Sequence, residues 1–265
     1  MKIVCLKGGL GNQMFEYCRF RDLMESGHDE VYLFYDHRRL KQHNGLRLSD
    51  CFELELPSCP WGVKLVVWGL KICRAVGVLK RLYEDEKPEA VLIDDYSQHR
   101  RFIPNARRYF FFRQFLAELQ SGFVQMIRAV DYPVSVHVRR GDYLHPSNSS
   151  FGLCGVDYFQ QAIAYVRKKR PDARFFFFSD DMEWVRENLW MEDAVYVEHT
   201  ELLPDYVDLY LMTLCRGHII SNSTFSFWGA YLAVDGNGMK IYPRRWFRDP
   251  TWTSPPIFSE EWVGL

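Results

Sequence analysis

Cysteine is present but follows no pairing pattern. Seven residues, at 5, 18, 51, 59, 73, 154 and 215, include no Cys-x-x-Cys. An odd count without a framework argues against disulfides or a structural zinc and for a reducing compartment. A secretory leader is also missing: Met1-Lys2 runs straight into the strand-like Ile3-Val4-Cys5-Leu6. No long hydrophobic run occurs. Residues 217–234 lack Asp, Glu, Lys and Arg, but Asn222, three serines, Thr224 and His218 make them unfit as the apolar span of about 20 residues that a bilayer needs. Charge of one sign is not in excess either. With 33 Lys and Arg against 34 Asp and Glu, the net charge is −1, which excludes a bulk nucleic-acid binder. Internal repeats and low-complexity tracts are absent. A cytoplasmic protein is expected.

What is present suits a folded chain. The 265 residues are 48% hydrophobic and 25% charged, enough for one large domain or two smaller ones. Aromatics reach 16%, with 8 Trp and 15 Tyr; most suit a core, and some suit the faces of sugars. The stretch Pro133–Leu144, PVSVHVRRGDYL, organises the rest. Val134, Val136 and Val138 alternate with Ser135 and His137, then the run breaks at Gly141 into charge. Guanidinium forks at Arg139 and Arg140 suit phosphate oxygens, and ligands of α/β proteins sit at the carboxyl ends of strands. The same residues also suit an Arg–Asp ion pair tying down a turn.

Along the chain, strand-like and helix-like segments alternate. Residues 2–7 read as a strand, Gly8-Gly9-Leu10-Gly11 as a turn and Asn12–Ser26 as a helix closed near Gly27. That order aims backbone N–H groups and a positive helix end at an anion. The third glycine of the dinucleotide fingerprint is replaced by Met14, and no GK[ST] follows. Strands are expected at Val31–Tyr35 and Ala90–Asp94, and a core-facing helix over Arg107–Met126. Trp61–Leu82 reads as a basic amphipathic helix with Gly69 and Gly77 inside it. It can lie on an anionic membrane surface, here the inner membrane, or pack onto a domain with a solvated basic face. Asp131-Tyr132-Pro133 breaks the chain, which places a domain boundary between 130 and 131. Beyond it, strands are expected at Pro133–Arg139, Arg174–Ser179, Ala194–Glu198, His218–Ser221 and Lys240–Tyr242. Helices are expected at Val156–Lys169, Met182–Leu189, Pro204–Cys215 and Thr224–Val234. Repeated βα units call for an α/β fold with parallel sheets.

Four motifs, in order, resemble those of glycosyltransferase family 11, the α-1,2-fucosyltransferases: Gly8-Gly9-Leu10-Gly11-Asn12-Gln13-Met14-Phe15, His137-Val138-Arg139-Arg140-Gly141-Asp142, Phe178-Ser179-Asp180-Asp181, and Ser221-Asn222-Ser223-Thr224-Phe225-Ser226-Phe227-Trp228-Gly229-Ala230. Phe227 stands where the family often has Trp. The resemblance implies a GT-B-like fold, two Rossmann-like domains facing across a cleft. Residues 1–130 would form the acceptor side and 131–265 the GDP-sugar side. It implies inverting transfer of L-fucose from GDP-β-L-fucose to the 2-hydroxyl of a galactose-terminated glycan, in surface polysaccharide or O-antigen synthesis, with no metal or other cofactor. Another GDP-sugar or acceptor, or a GDP-sugar-binding regulator without catalysis, are the alternatives.

Roles follow residue by residue. Arg139, and Arg140 beside it, would stabilise charge growing on the departing β-phosphate. Asp142 is the nearest motif carboxylate for a catalytic base, unless Arg140 neutralises it; Asp36, His37 and Glu16 are other candidates. Asp181, with Asp180 next, would accept from the N1–H and N2–H₂ edge of guanine, although Ser179, Asp180 and Asp181 all suit a helix N-cap. Ser223, Thr224 and Ser226 suit the diphosphate or the cap of the helix they open. Gly9, Gly11, Asn12 and Gln13 would face the donor, and His137 the guanine side. Phe225, Phe227 and Trp228 read as core.

Overall fold

The apolar residues Ile3–Leu6 fill β1 (Lys2–Leu6) and are all buried. In the computed structural model, which describes residues 1–41, 44–83, 89–119, 122–148, 150–198 and 203–265, β1 is the middle of a parallel three-stranded sheet. Its neighbours are β2 (Val31–Tyr35), in register Lys2 to Val31 through Leu6 to Tyr35, and β3 (Leu92–Ile93). Parallel strands need a crossover, which α1 (Leu10–Glu25) supplies. Gly8 makes the turn into it at φ +68, where a Cβ would come within 2.7 Å of Asn12 Nδ2. Segment 36–60 holds two single turns, α2 (His37–Leu40) and α3 (Leu48–Cys51); residues 42–43 lie outside the described ones. The amphipathic segment forms α4 (Trp61–Ala75), which packs Val63, Val67 and Leu70 onto Ile3, Cys5, Phe34 and Leu92.

The helix expected over 107–126 is broken. Phe112 bridges Phe52 in an antiparallel pair, Arg113 N–H donates to Cys51 O at 3.0 Å, and the rings of Phe110 and Phe112 lie tilted against Phe52. An aromatic run pairs readily as extended chain, and here that outweighs helical spacing. Two short helices follow, α5 (Gln114–Ala117) and α6 (Gly122–Arg128), with 120–121 outside the described residues. The compact units are Met1–Arg113 and Gln114–Leu265, so the division falls 17 residues before the expected one. The reason is α6, which buries Val124 and Ile127 and packs on a helix of the second unit.

That unit is a parallel sheet of six strands: β4 (Tyr132–Val138), β5 (Ala173–Ser179), β6 (Val195–Tyr196), β7 (Gly217–Ile219), β8 (Lys240–Tyr242) and β9 (Val263–Gly264). β4 is buried along its whole length, as a central strand of a covered sheet must be. Connecting helices are α7 (Val156–Lys169), α8 (Met182–Asn188), α9 (Tyr206–Leu214) and α10 (Thr224–Tyr231). Val134, Val136, Val138, Phe175 and Phe177 share one core with Phe159, Ile163 and Val166 of α7. Phe227 and Trp228 are fully buried, Phe227 lying among the rings of Tyr231, Phe258 and Trp262. Strand β9 was not anticipated.

Candidate functional site

The second sheet runs β6-β5-β4-β7-β8-β9. Chain order reverses between β4 and β7, and ligands of open parallel sheets sit outside the carboxyl ends of the strands at such a reversal. The second, third and fourth motifs all leave strands there: 139–142 after β4, 180–181 after β5 and 221–226 after β7.

Five charged residues form one network. Arg139 forms ion pairs from Nε to Asp142 Oδ1 at 2.8 Å and from Nη1 to Asp180 Oδ2 at 3.1 Å. Arg140 donates from Nε to Asp181 Oδ2 at 3.2 Å and from its backbone N to Asp180 Oδ1 at 2.9 Å, with its guanidinium 3.9 Å over the Trp184 ring. Asp142 therefore pairs with Arg139, not with Arg140 as the sequence suggested. Burial pulls the Arg139 guanidinium down, and the carboxylates of Asp180 and Asp142 outweigh it, so it titrates above its ordinary range. About a third of the Arg139 side chain is exposed. Asp181 is the N-cap of α8, accepting from Trp184 N at 3.2 Å. Gly141 leaves room for Asp180: a Cβ at 141 would sit 2.9 Å from Asp180 Oδ2.

Behind this network the reversal is stitched by hydrogen bonds. His137 Nδ1 lies 3.1 Å from Ser221 Oγ, with its ring tilted against Phe225 at 5.7 Å. Burial, with Arg139 adding to it, lowers the His137 pKa to about 4. This histidine is packed in the sheet, with Nδ1 engaged. Deeper in, Ser135 Oγ meets His218 Nδ1 at 2.8 Å, and burial lowers His218 to about 3. Of the α10 candidates, Ser223 is the N-cap but makes no side-chain bond to the helix, and Thr224 is half-buried. Ser226 is turned inward: its hydroxyl donates to Ser223 O at 3.1 Å and it is fully buried, which removes it as a direct phosphate contact.

In the first unit, Gly9 is the N-cap of α1 with extended backbone, and a Cβ there would meet nothing within 4 Å. Neither its conformation nor its neighbours require glycine. Gly11 and Gln13 are buried in the first turn. Gln13 is fully engaged by the protein: Nε2 donates to Gly8 O and Gly45 O, both at 2.9 Å, and Oε1 accepts from Arg47 N at 3.1 Å. It pins the glycine loop to residues 45–47 and does not face a donor. Asn12 is half-buried, its Oδ1 accepting from Gln98 at 2.9 Å. Glu16 is fully buried, one oxygen accepting from Lys7 N at 2.8 Å and the other without a partner among the described residues. Burial raises its pKa well above the carboxylate range. An enclosed carboxyl cannot reach an acceptor hydroxyl, so Glu16 drops out as a base, leaving half-buried Asp36 and exposed His37.

Sequence reasoning missed three partners. Tyr143 stacks on Phe151 at 4.8 Å and donates to Asn222 O at 2.9 Å. Asn222 donates to Gly152 O at 2.6 Å and Trp246 O at 2.7 Å, tying three loops at the carboxyl edge. Trp184 carries Arg140. Tyr143, next to the RRGD motif, and Asn222, inside the fourth motif, gave a signal, though not for these contacts; Trp184 gave none. Beside them lies an open cavity of about 920 Å³, lined by Tyr143, His145, Phe151, Tyr158, Arg245 and Arg248 among others.

Comparison with known proteins gives the same answer as this geometry. An O-antigen biosynthesis glycosyltransferase, WbnK, of Escherichia coli is 25% identical over 98% of this chain and 99% of its own. An α-1,2-colitosyltransferase of E. coli is 28% identical over 98% and 97%. The galactoside 2-α-L-fucosyltransferase SEC1 of Bos taurus is 27% identical over 98% of this chain and 72% of its own. Among solved structures, the α-1,6-fucosyltransferase NodZ, soaked with GDP-fucose, superposes with a TM-score of 0.52 over 87% of this chain and 91% of its own, at 14% identity. That likeness is one of fold, and it confirms the GT-B-like, Rossmann-like α/β class expected from the motifs. Since the Glycosyl transferase family 11 profile matches residues 105–265, which hold the entire charged network and the strand reversal, the chain belongs to glycosyltransferase family 11.

Proposed function

We propose that the protein is an inverting transferase that moves L-fucose from GDP-β-L-fucose to the 2-hydroxyl of a terminal galactoside. The observation that carries this reading is Arg139. Two carboxylates hold its guanidinium, yet about a third of the side chain keeps access to solvent. As the C1–O bond to the β-phosphate breaks and the acceptor oxygen bonds to C1, charge collects on departing GDP, and a guanidinium fixed beforehand stabilises it without reorganisation. Asp142 serves as an anchor for Arg139, because its Oδ1 is already directed at Nε. Each oxygen of Asp180 and Asp181 accepts one protein bond and keeps a second lone pair, enough for a guanine edge. Ser223 and Thr224 open α10 toward phosphate. Gly9, whose side is empty without steric need, fits a backbone that a ligand approaches closely. Asp36 and His37 are the accessible candidates for taking the acceptor proton; no step here calls on a metal.

A second reading keeps the chemistry and changes the sugar. The colitosyltransferase likeness, which spans nearly both chains, favours a donor carrying another deoxysugar. One experiment separates these: thermal shifts with GDP, UDP and ADP, then product and linkage determination with GDP-fucose and lactose. Stabilisation by GDP alone and an α-1,2-linked product are expected. Equal shifts by all three nucleotides would overturn guanine recognition, and GDP binding without product from GDP-fucose would shift the assignment to another donor or acceptor.

A further inference from the structure

Helix α4 has two apolar faces. Val63, Val67 and Leu70 make the buried one. On the opposite side, at spacings of four, three and four, stand Trp61, Leu65, Trp68 and Ile72, all exposed, with Trp68 at 59% and Ile72 at 66%. At 100° per residue these four fall in one stripe; Val76 and Leu79, also exposed, follow it past the helix end, where Gly77 at φ +75 and Leu79 at φ +55 have left the helical backbone. From Trp61 to Tyr83 the chain carries Lys64, Lys71, Arg74, Lys80 and Arg81 and no acidic residue. Arg74 leans 3.4 Å from Asp94 and Lys71 lies over the Phe34 ring, while Lys64, Lys80 and Arg81 are exposed. The two expectations from the sequence are therefore not exclusive: one face of the helix packs on its domain, while the other presents apolar side chains to solvent.

We infer that this stripe docks the protein on an anionic lipid surface, with α4 lying in the plane of the headgroups. Charge complementarity selects this occupant. A basic stretch without a single acid suits anionic headgroups, and apolar residues flanked by Lys and Arg are the pattern of helices that lie in the interface. The two tryptophans of the stripe, one at its start and one at its middle, match the preference of indole for the headgroup level. At 15 residues, α4 extends about 22 Å, too short to cross a hydrocarbon core of about 30 Å, so it lies on the bilayer rather than through it.

The test is co-sedimentation of the full chain with vesicles of phosphatidylglycerol and phosphatidylethanolamine, against vesicles of phosphatidylcholine. Binding to the anionic vesicles at least tenfold stronger than to the neutral ones is expected. So is a tenfold loss in W68E/I72E, a several-fold loss in K64E/K80E, and a loss in 0.5 M NaCl. The substituted residues are exposed, and an unchanged circular-dichroism melt shows that folding is intact. Wild-type protein left in the supernatant with anionic vesicles would overturn the inference, as would binding that W68E/I72E leaves unchanged. A dimer that W68E/I72E converts to monomer, with vesicles ignored, would assign the stripe to a second copy of the chain instead.

Discussion

The Arg140 guanidinium lies 3.9 Å above the Trp184 ring, with Nε 3.2 Å from Asp181. Neighbouring arginines are thereby given different work. Arg140, only 15% exposed, is a bracket between the ends of β4 and β5, whereas Arg139, at 32%, keeps access to solvent.

Substituting the two should separate stability from turnover. Arg140→Ala is expected to lower unfolding stability by about 2 kcal/mol, through the lost ring contact and a carboxylate left without its partner. Arg139→Ala removes half-exposed ion pairs worth about 1 kcal/mol or less, and its thermal melt should stay near wild type. Its kcat should fall by about 100-fold, the scale seen when one preset donor is removed from a developing charge. An Arg139→Ala protein with full turnover would contradict the role.

Gln13→Ala should loosen the glycine loop from residues 45–47. Three hydrogen bonds go, two of them donated by the buried amide to the carbonyls of Gly8 and Gly45. A loss of about 2–3 kcal/mol is expected, with faster hydrogen exchange at the Arg47 amide. Unchanged exchange there would show that the loop is held by other contacts.

Stability should fall on the alkaline side through Glu16. A carboxyl whose folded pKa is raised holds its proton more tightly in the folded chain. Its contribution is full below the ordinary value of 4.5 and is lost as pH rises above it. Glu16→Gln carries no such titration. Urea midpoints from pH 4 to 8 should show the variant gaining on wild type as pH rises; parallel curves would place the Glu16 proton elsewhere.

On the acid side the histidines act in the opposite direction. His137 and His218 fold as neutral rings with pKa values of about 4 and about 3, against an ordinary 6.5. The unfolded chain takes up protons first, so stability is full above pH 6.5 and falls as pH drops, by about 1.4 kcal/mol per pH unit and per ring. His218→Asn, which keeps a group at the Nδ1 position facing Ser135, should flatten this slope by one proton. An unchanged slope would mean that His218 is charged in the fold.

The sheets were readable from the chain because their strands are short unbroken apolar runs: Ile3–Leu6, the valines of β4, the phenylalanines of β5. Their alternation with helical segments dictated the parallel class, and the strand leading into the third motif, expected at Arg174–Ser179, fell at β5. Residues 107–126 misled because an aromatic run satisfies both a helix spacing and an extended pairing, and only contact with Phe52, far back in the chain, decides between them. The site was legible in its chemistry but not in its pairing. That Arg139 rather than Arg140 meets Asp142 depends on how the turn at Gly141 swings the two side chains. That Gln13 is structural depends on carbonyl Gly45 O, supplied 32 residues later. Such distant partners leave no local mark.

The bare α-carbon at position 141 gives an experimental handle on the network. A single methyl added there would act as a wedge against Asp180, prising the acid off Arg139 while leaving every formal charge in place. Gly141→Ala would thus slacken the guanidinium on one side only, and it offers a way to ask how much of the chemistry depends on that arginine being held still rather than merely being present.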